Sequence, residues 1–146
     1  MAGRYNSGAV TSFISHTSID CRNAFTLSEW WKQVLGYVDV DDDPNEPGHE
    51  ACMILSPDSG HRLLFIRVPD EKRVKNRIHF DIQPRAGTRD EEVERVVGLG
   101  AVEVDDQRDH YGPGTGWVVL QDPDGNEFCV LRSDGERAAN PMQPSS

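Results

Sequence analysis

The chain says almost the same thing twice, and that repeat limits the folds open to it. Thr26-Leu27-Ser28-Glu29 opens one amphipathic stretch, and Thr88-Arg89-Asp90-Glu91 opens another 62 positions later. At the same offset Trp31, Val34, Leu35 and Gly36 fall on Val93, Val96, Val97 and Gly98. A strand-like run precedes each stretch, His16–Cys21 and Arg77–Ile82, and Tyr37–Val40 or Ala101–Val104 follows it. Each half then carries an apolar strand, a Pro-Asp turn and a last apolar strand. Two such copies predict an α+β domain of tandem βαβββ modules, with a curled sheet around a cavity between them. The modules span about 12–70 and 75–132 of a single domain over 12–132. Residues 1–11 read as a flexible arm and 133–146, with Pro141 and Pro144, as a flexible tail.

Periodicity places the side chains. Leu27, Trp30, Trp31, Val34 and Leu35 follow helical spacing and form one buried stripe, with Thr26 and Glu29 as a capping box and Gly36 as a stop. Val93, Val96 and Val97 make a narrower stripe behind Thr88 and Glu91. In the second strand-like run Ile78, Phe80 and Ile82 share one face, while Arg77, His79 and Asp81 share the other. In the first run His16, Ser18 and Asp20 oppose Thr17, Ile19 and Cys21. The polar faces then correspond as His16 with Arg77, Ser18 with His79 and Asp20 with Asp81.

A net charge of −10 with no concentrated Lys/Arg surface argues against nucleic acid. The three cysteines, Cys21, Cys52 and Cys129, have neither disulfide-framework nor zinc-ribbon spacing and suit a reducing cytoplasm. No apolar run reaches membrane-spanning length, so no membrane partner is expected.

With two βαβββ modules, the Trp30-Trp31-Lys32-Gln33-Val34-Leu35-Gly36 helix end and the closing Trp117–Leu131 segment around Asp-Pro-Asp-Gly-Asn, the chain resembles the vicinal oxygen chelate superfamily. That superfamily includes glyoxalases, bleomycin-resistance proteins and dioxygenases. The Lys75–Ile82 segment and Cys129 look closest to its glyoxalase-like branch. The resemblance implies four metal-ligand positions, carried here by His16, a residue near Leu63 or Phe65, Arg77 and Cys129. An arginine has no lone pair to give a cation, so the resemblance implies loss of the usual metal centre. A rearranged site of His16, His79 and Cys129 for a divalent ion such as zinc, nickel or manganese stays open. Arg77 needs an anion, either Asp20, Asp81 or a ligand carboxylate. Trp117 and Tyr111 offer rings to a planar ligand or to the core.

The residues expected to line a ligand site are therefore His16, Arg77, His79, Asp81, Trp117 and Cys129, with His16 and His79 as candidate acid–base groups. Three functions remain in view. One is a metal-free small-molecule binder of the bleomycin-resistance kind; another is a glyoxalase-like lyase or isomerase; the third is a non-catalytic interaction module. Exposed sheet edges and the resemblance both imply a homodimer.

Overall fold

Asn23, not Thr26, starts the first helix. Its side chain accepts the backbone N–H of Thr26 at 3.0 Å, and α1 runs Ala24–Leu35 in the computed structural model, which describes residues 10–141. Asn23 holds the extended backbone of an N-cap and satisfies an orphan donor one turn earlier than the Thr26–Glu29 spacing implied. Glu29 is instead paired with Lys32 at 2.8 Å. Gly36 ends α1 in the left-handed region at φ 71°. The second helix, α2 (Arg89–Gly98), has the expected reciprocal cap between Thr88 and Glu91.

Eight strands surround these helices: β1 (Thr17–Cys21), β2 (Val38–Asp39), β3 (Ala51–Leu55), β4 (Arg62–Arg67), β5 (Asp81–Ile82), β6 (Val102–Asp106), β7 (Val118–Gln121) and β8 (Glu127–Val130). They form two open four-stranded sheets, ordered β1-β4-β3-β2 and β5-β8-β7-β6, each with one parallel pair at its edge, β1 with β4 and β5 with β8. The tandem βαβββ architecture is thus present. The two sheets of one chain do not curl into a single sheet, because every strand pairs within its own module.

β5 is shorter than the Arg77–Ile82 run, and Ile78 is 83% exposed instead of sharing a buried face. The reason lies in Asn76. Its side chain accepts the Glu127 N–H at 2.9 Å and donates to the Ile78 and Glu127 carbonyls, occupying β8 where strand backbone would pair. The reading of 133–146 as a flexible tail also needs correction. Asp134–Ala139 form α3, with Ser133 and Glu136 as a capping box. Glu136 further accepts the Arg89 N–H at 2.6 Å, which ties α3 to the start of α2. Val10 and Thr11 of the N-terminal arm are exposed and irregular, while the rest of the arm and 142–146 lie outside the described residues.

One apolar core draws on both modules. Trp31, 1% exposed, meets Phe80 and Phe128 edge-on at 5.6 and 5.0 Å. Trp30 is also core: its indole N–H donates to the Leu99 carbonyl at 2.9 Å. Each tryptophan therefore buries its ring and still satisfies its N–H.

Candidate functional site

Strand register lays out the uncovered face of the second sheet as a grid. Asp81 pairs with Cys129, Cys129 with Val119 and Val119 with Asp105. Side chains alternate along a strand, so these four share one face. Val118, Leu120, Phe128 and Val130 point the other way into the core, each at 1% exposure or less. Trp117 and Leu131 extend the uncovered face, and the Gln107 N–H donates to the Trp117 carbonyl at 2.9 Å. With Lys75, His79 and Arg137 these residues line a cavity of about 510 Å³.

At one edge of this cavity three chemically active groups meet. His79 Nδ1 lies 3.1 Å from Asp81 Oδ1 and 3.9 Å from Cys129 Sγ. One ligand atom from each of the three lies within 4.8 Å of the other two. His79 and Asp81 are open to solvent and Cys129 is buried. Burial pushes the Cys129 thiol up to about 12; the Asp81 charge adds to this, and Lys75 opposes it. At neutral pH the group is a thiol, weakly donating and not nucleophilic.

The aromatic wall depends on the 107–116 loop. Tyr111 lies 6.0 Å from Trp117 with the rings tilted by 30°, and His110 meets Tyr111 edge-on at 4.7 Å. The loop is held from behind. Arg89, 5% exposed, donates to the carbonyls of Thr115 and Gly116 at 2.7 and 3.1 Å, and the Asn140 amide donates to the Pro113 carbonyl at 2.9 Å.

His79, Asp81, Trp117 and Cys129 therefore come together. Arg77 and His16 do not join them. Arg77 is exposed and lines a separate cavity of about 540 Å³ beside Ser18, Asp20 and Trp31, into which His79 also reaches. Neither expected aspartate pairs with Arg77 among the described residues, since Asp81 is held by His79. His16 stands just before β1 in the first sheet, with Ser15 Oγ 3.0 Å from its Nδ1.

The register also revises which residues correspond between modules. The hairpins match through Ser56 N–H to His61 O and Asp122 N–H to Asn126 O, which places Leu64 where the second module has Cys129. Ser18 pairs with Leu64 as Asp81 pairs with Cys129, so His16 corresponds to His79 and not to Arg77. Sequence reasoning did not nominate Asp81 as a cation donor, nor Lys75, Asp105, Gln107 and Arg137 as lining residues. Turn composition hides a one-residue difference between hairpins, and strand pairing reveals it.

Two βαβββ modules with a concave, polar and aromatic sheet face define a vicinal oxygen chelate protein. Residues 16–131 match the glyoxalase-like domain, and the chain belongs to that family. Similar solved structures include a possible glyoxalase from Bacillus cereus, at 14% identity over 83% of this chain and 99% of that one, TM-score 0.58. The fosfomycin resistance protein FosX from Listeria monocytogenes, in a mutant complexed with Mn(II) and 1S,2S-dihydroxypropylphosphonic acid, has 16% identity over 92% and 100%, TM-score 0.62. FosX from Mesorhizobium loti has 14% identity over 90% and 100%, TM-score 0.60. At these identities the likeness concerns the fold. No curated protein matches the chain in sequence.

Three potential ligand atoms, from His79, Asp81 and Cys129, converge in the cavity. One imidazole, one carboxylate and one thiol suit a borderline ion such as zinc, whereas hard Mn(II) favours oxygen-rich sites. The residues that would hold such an ion are His79, Asp81 and Cys129. A bound zinc would act as a Lewis acid toward a ligand oxygen.

Proposed function

We propose that the chain binds a small organic molecule on the uncovered face of the second sheet, over His79, Asp81, Cys129 and Trp117. The observation that carries this reading is the meeting of the Trp117 side chain and a polar trio in one cavity of about 510 Å³, a size that suits a small ligand. Trp117 supplies apolar contact, while the Asp81 carboxylate and His79 ring fix polar atoms of the guest. Thermal-shift and calorimetric screening against neutral, cationic and anionic planar compounds tests it. Hits should weaken at least about tenfold in Trp117→Ala and His79→Ala. A broad library without a hit, or hits indifferent to both variants, would sink the reading.

The cluster of three donors favours a second reading, a metal-dependent lyase or isomerase of the glyoxalase type. Elemental analysis of protein purified without chelator, with zinc titration by calorimetry, separates the two. Stoichiometric zinc that is lost in His79→Ala and Cys129→Ser supports the metal reading; absence of binding leaves the metal-free one.

The proposed assembly is a homodimer in the cytoplasm. Half-buried Met53, Leu64 and Ile66 on the first sheet, with Phe13 and Ile14 at 89% and 87% exposure, offer apolar surface for a second copy. The three cysteines are free, as a reducing compartment requires. Light scattering at micromolar concentration should give twice the chain mass, and a monomer would refute the assembly.

A further inference from the structure

Among the described residues, Lys75 and Arg137 line the cavity over Cys129 without an ion pair of their own, beside the carboxylates of Asp81 and Asp105. Six ionisable side chains line it: Lys75, His79, Asp81, Asp105, Cys129 and Arg137. Four are engaged within the protein. His79 and Asp81 hold each other at 3.1 Å, Asp105 accepts from the Gln107 amide at 2.8 Å, and Cys129 is a buried thiol beside them. Lys75 and Arg137 remain, and among the described residues neither has a carboxylate within ion-pair distance. Two unengaged cations at one concavity stand out in a chain whose net charge is −10.

Arg137 is carried by an anchored helix and is not a stray tail residue. It lies in α3, whose start is capped by Ser133 and whose Glu136 binds the Arg89 N–H at 2.6 Å. The far end is fixed as well: Arg132, 1% exposed, donates to the Asn140 carbonyl at 2.6 Å, and the Asn140 amide binds Pro113 of the loop that carries Tyr111. The same short helix thus positions a guanidinium and steadies the aromatic wall at Trp117. A planar guanidinium, an ammonium and an indole around one cavity match a flat molecule bearing a carboxylate, since the fork of an arginine pairs with a carboxylate through two parallel hydrogen bonds.

We infer that the ligand of this cavity is a planar organic carboxylate, its anionic group held between Lys75 and Arg137 and its flat body against Trp117. The inference rests on the proposed binding reading and narrows it to a class.

Calorimetric titration in the presence of EDTA tests it with three probes that share one ring system: 2-naphthoate, its neutral amide 2-naphthamide, and the cation 2-naphthylmethylammonium. The carboxylate should bind at least about tenfold tighter than the amide, with the cation weakest. Arg137→Gln and Lys75→Gln should each weaken the carboxylate about tenfold and leave the amide unchanged, so that retained amide binding also reports a folded cavity. Arg137→Lys should recover part of the loss. Equal affinity for the amide or cation, or indifference to both glutamine variants, overturns the carboxylate assignment while leaving small-molecule binding intact. If none of the three probes binds, the carboxylate assignment falls, while the binding reading is decided separately by the broad library screen.

Discussion

The indole N–H of Trp31 donates to Asp122 Oδ2 across 3.0 Å of buried interior, joining the first helix to the last hairpin. Asp122 Oδ1 meanwhile accepts the backbone N–H groups of Asp124 and Asn126 at 2.9 and 3.0 Å. One carboxylate therefore shapes the Asp-Pro-Asp-Gly-Asn turn and ties it to the other module. The turn in turn sets the β7–β8 register, which places Val119 opposite Cys129.

Burial raises the Asp122 carboxyl from 3.8 to about 6, against the lowering effect of its three hydrogen bonds. A raised folded value means that its stabilising contribution is complete below about 3.8 and is lost as pH climbs through about 6. Asp122→Asn abolishes this dependence and leaves Trp31 without its acceptor, at a cost of about 1–3 kcal/mol. The stability gap between wild type and variant should be larger at pH 5 than at pH 7, by about 1 kcal/mol. Urea denaturation of both proteins at the two values measures the difference, and a gap that widens toward pH 7 contradicts the assignment.

The thiols should be quiet in the native state. Burial pushes Cys21 and Cys129 up to about 12 and raises Cys52 as well. At pH 8 a disulfide reagent such as DTNB should consume essentially no thiol within minutes, and three equivalents after denaturation. In Asp81→Asn, which removes a charge that raises the Cys129 value, that thiol should react measurably faster.

Gly116 cannot become alanine. Its φ is +89°, and an added Cβ would lie 1.9 Å from the Gln107 carbonyl oxygen. Gly116→Ala should cost about 3 kcal/mol or more and loosen the aromatic wall. Gly60 provides the control: its φ is +75° with open space around the Cβ position, so Gly60→Ala should cost only about 1–2 kcal/mol. Equal costs by thermal or urea unfolding would discount the clash.

Asn23→Ala should destabilise the fold by about 1 kcal/mol through loss of the N-cap, while Thr26→Ala should change stability by less than about 0.5 kcal/mol. Chemical denaturation of the pair settles which residue caps α1.

Much of the architecture is readable from local pattern. The helical stripe of Leu27–Leu35, the Thr88–Glu91 cap and the Pro-Asp turns depend on spacings of three or four residues, and the structure keeps them, whereas the second stripe keeps Val93 and Val96 but leaves Val97 at 42% exposure. The Thr26–Glu29 cap failed because two cap-competent residues stand three apart, and propensity does not choose between them. β5 was read too long because alternation over 77–82 carries no sign of Asn76 binding to β8 from 51 positions away.

The amino-acid order alone specifies two βαβββ copies, an apolar stripe on each helix and a set of polar residues to search. Which of those residues meet was settled in three dimensions. Asp81 and Cys129 are neighbours only through the β5–β8 register, and Arg137 reaches the cavity only because α3 folds back onto α2. Local periodicity arises from the geometry of consecutive residues, whereas a site joins strands and a helix whose alignment depends on long-range pairing and packing.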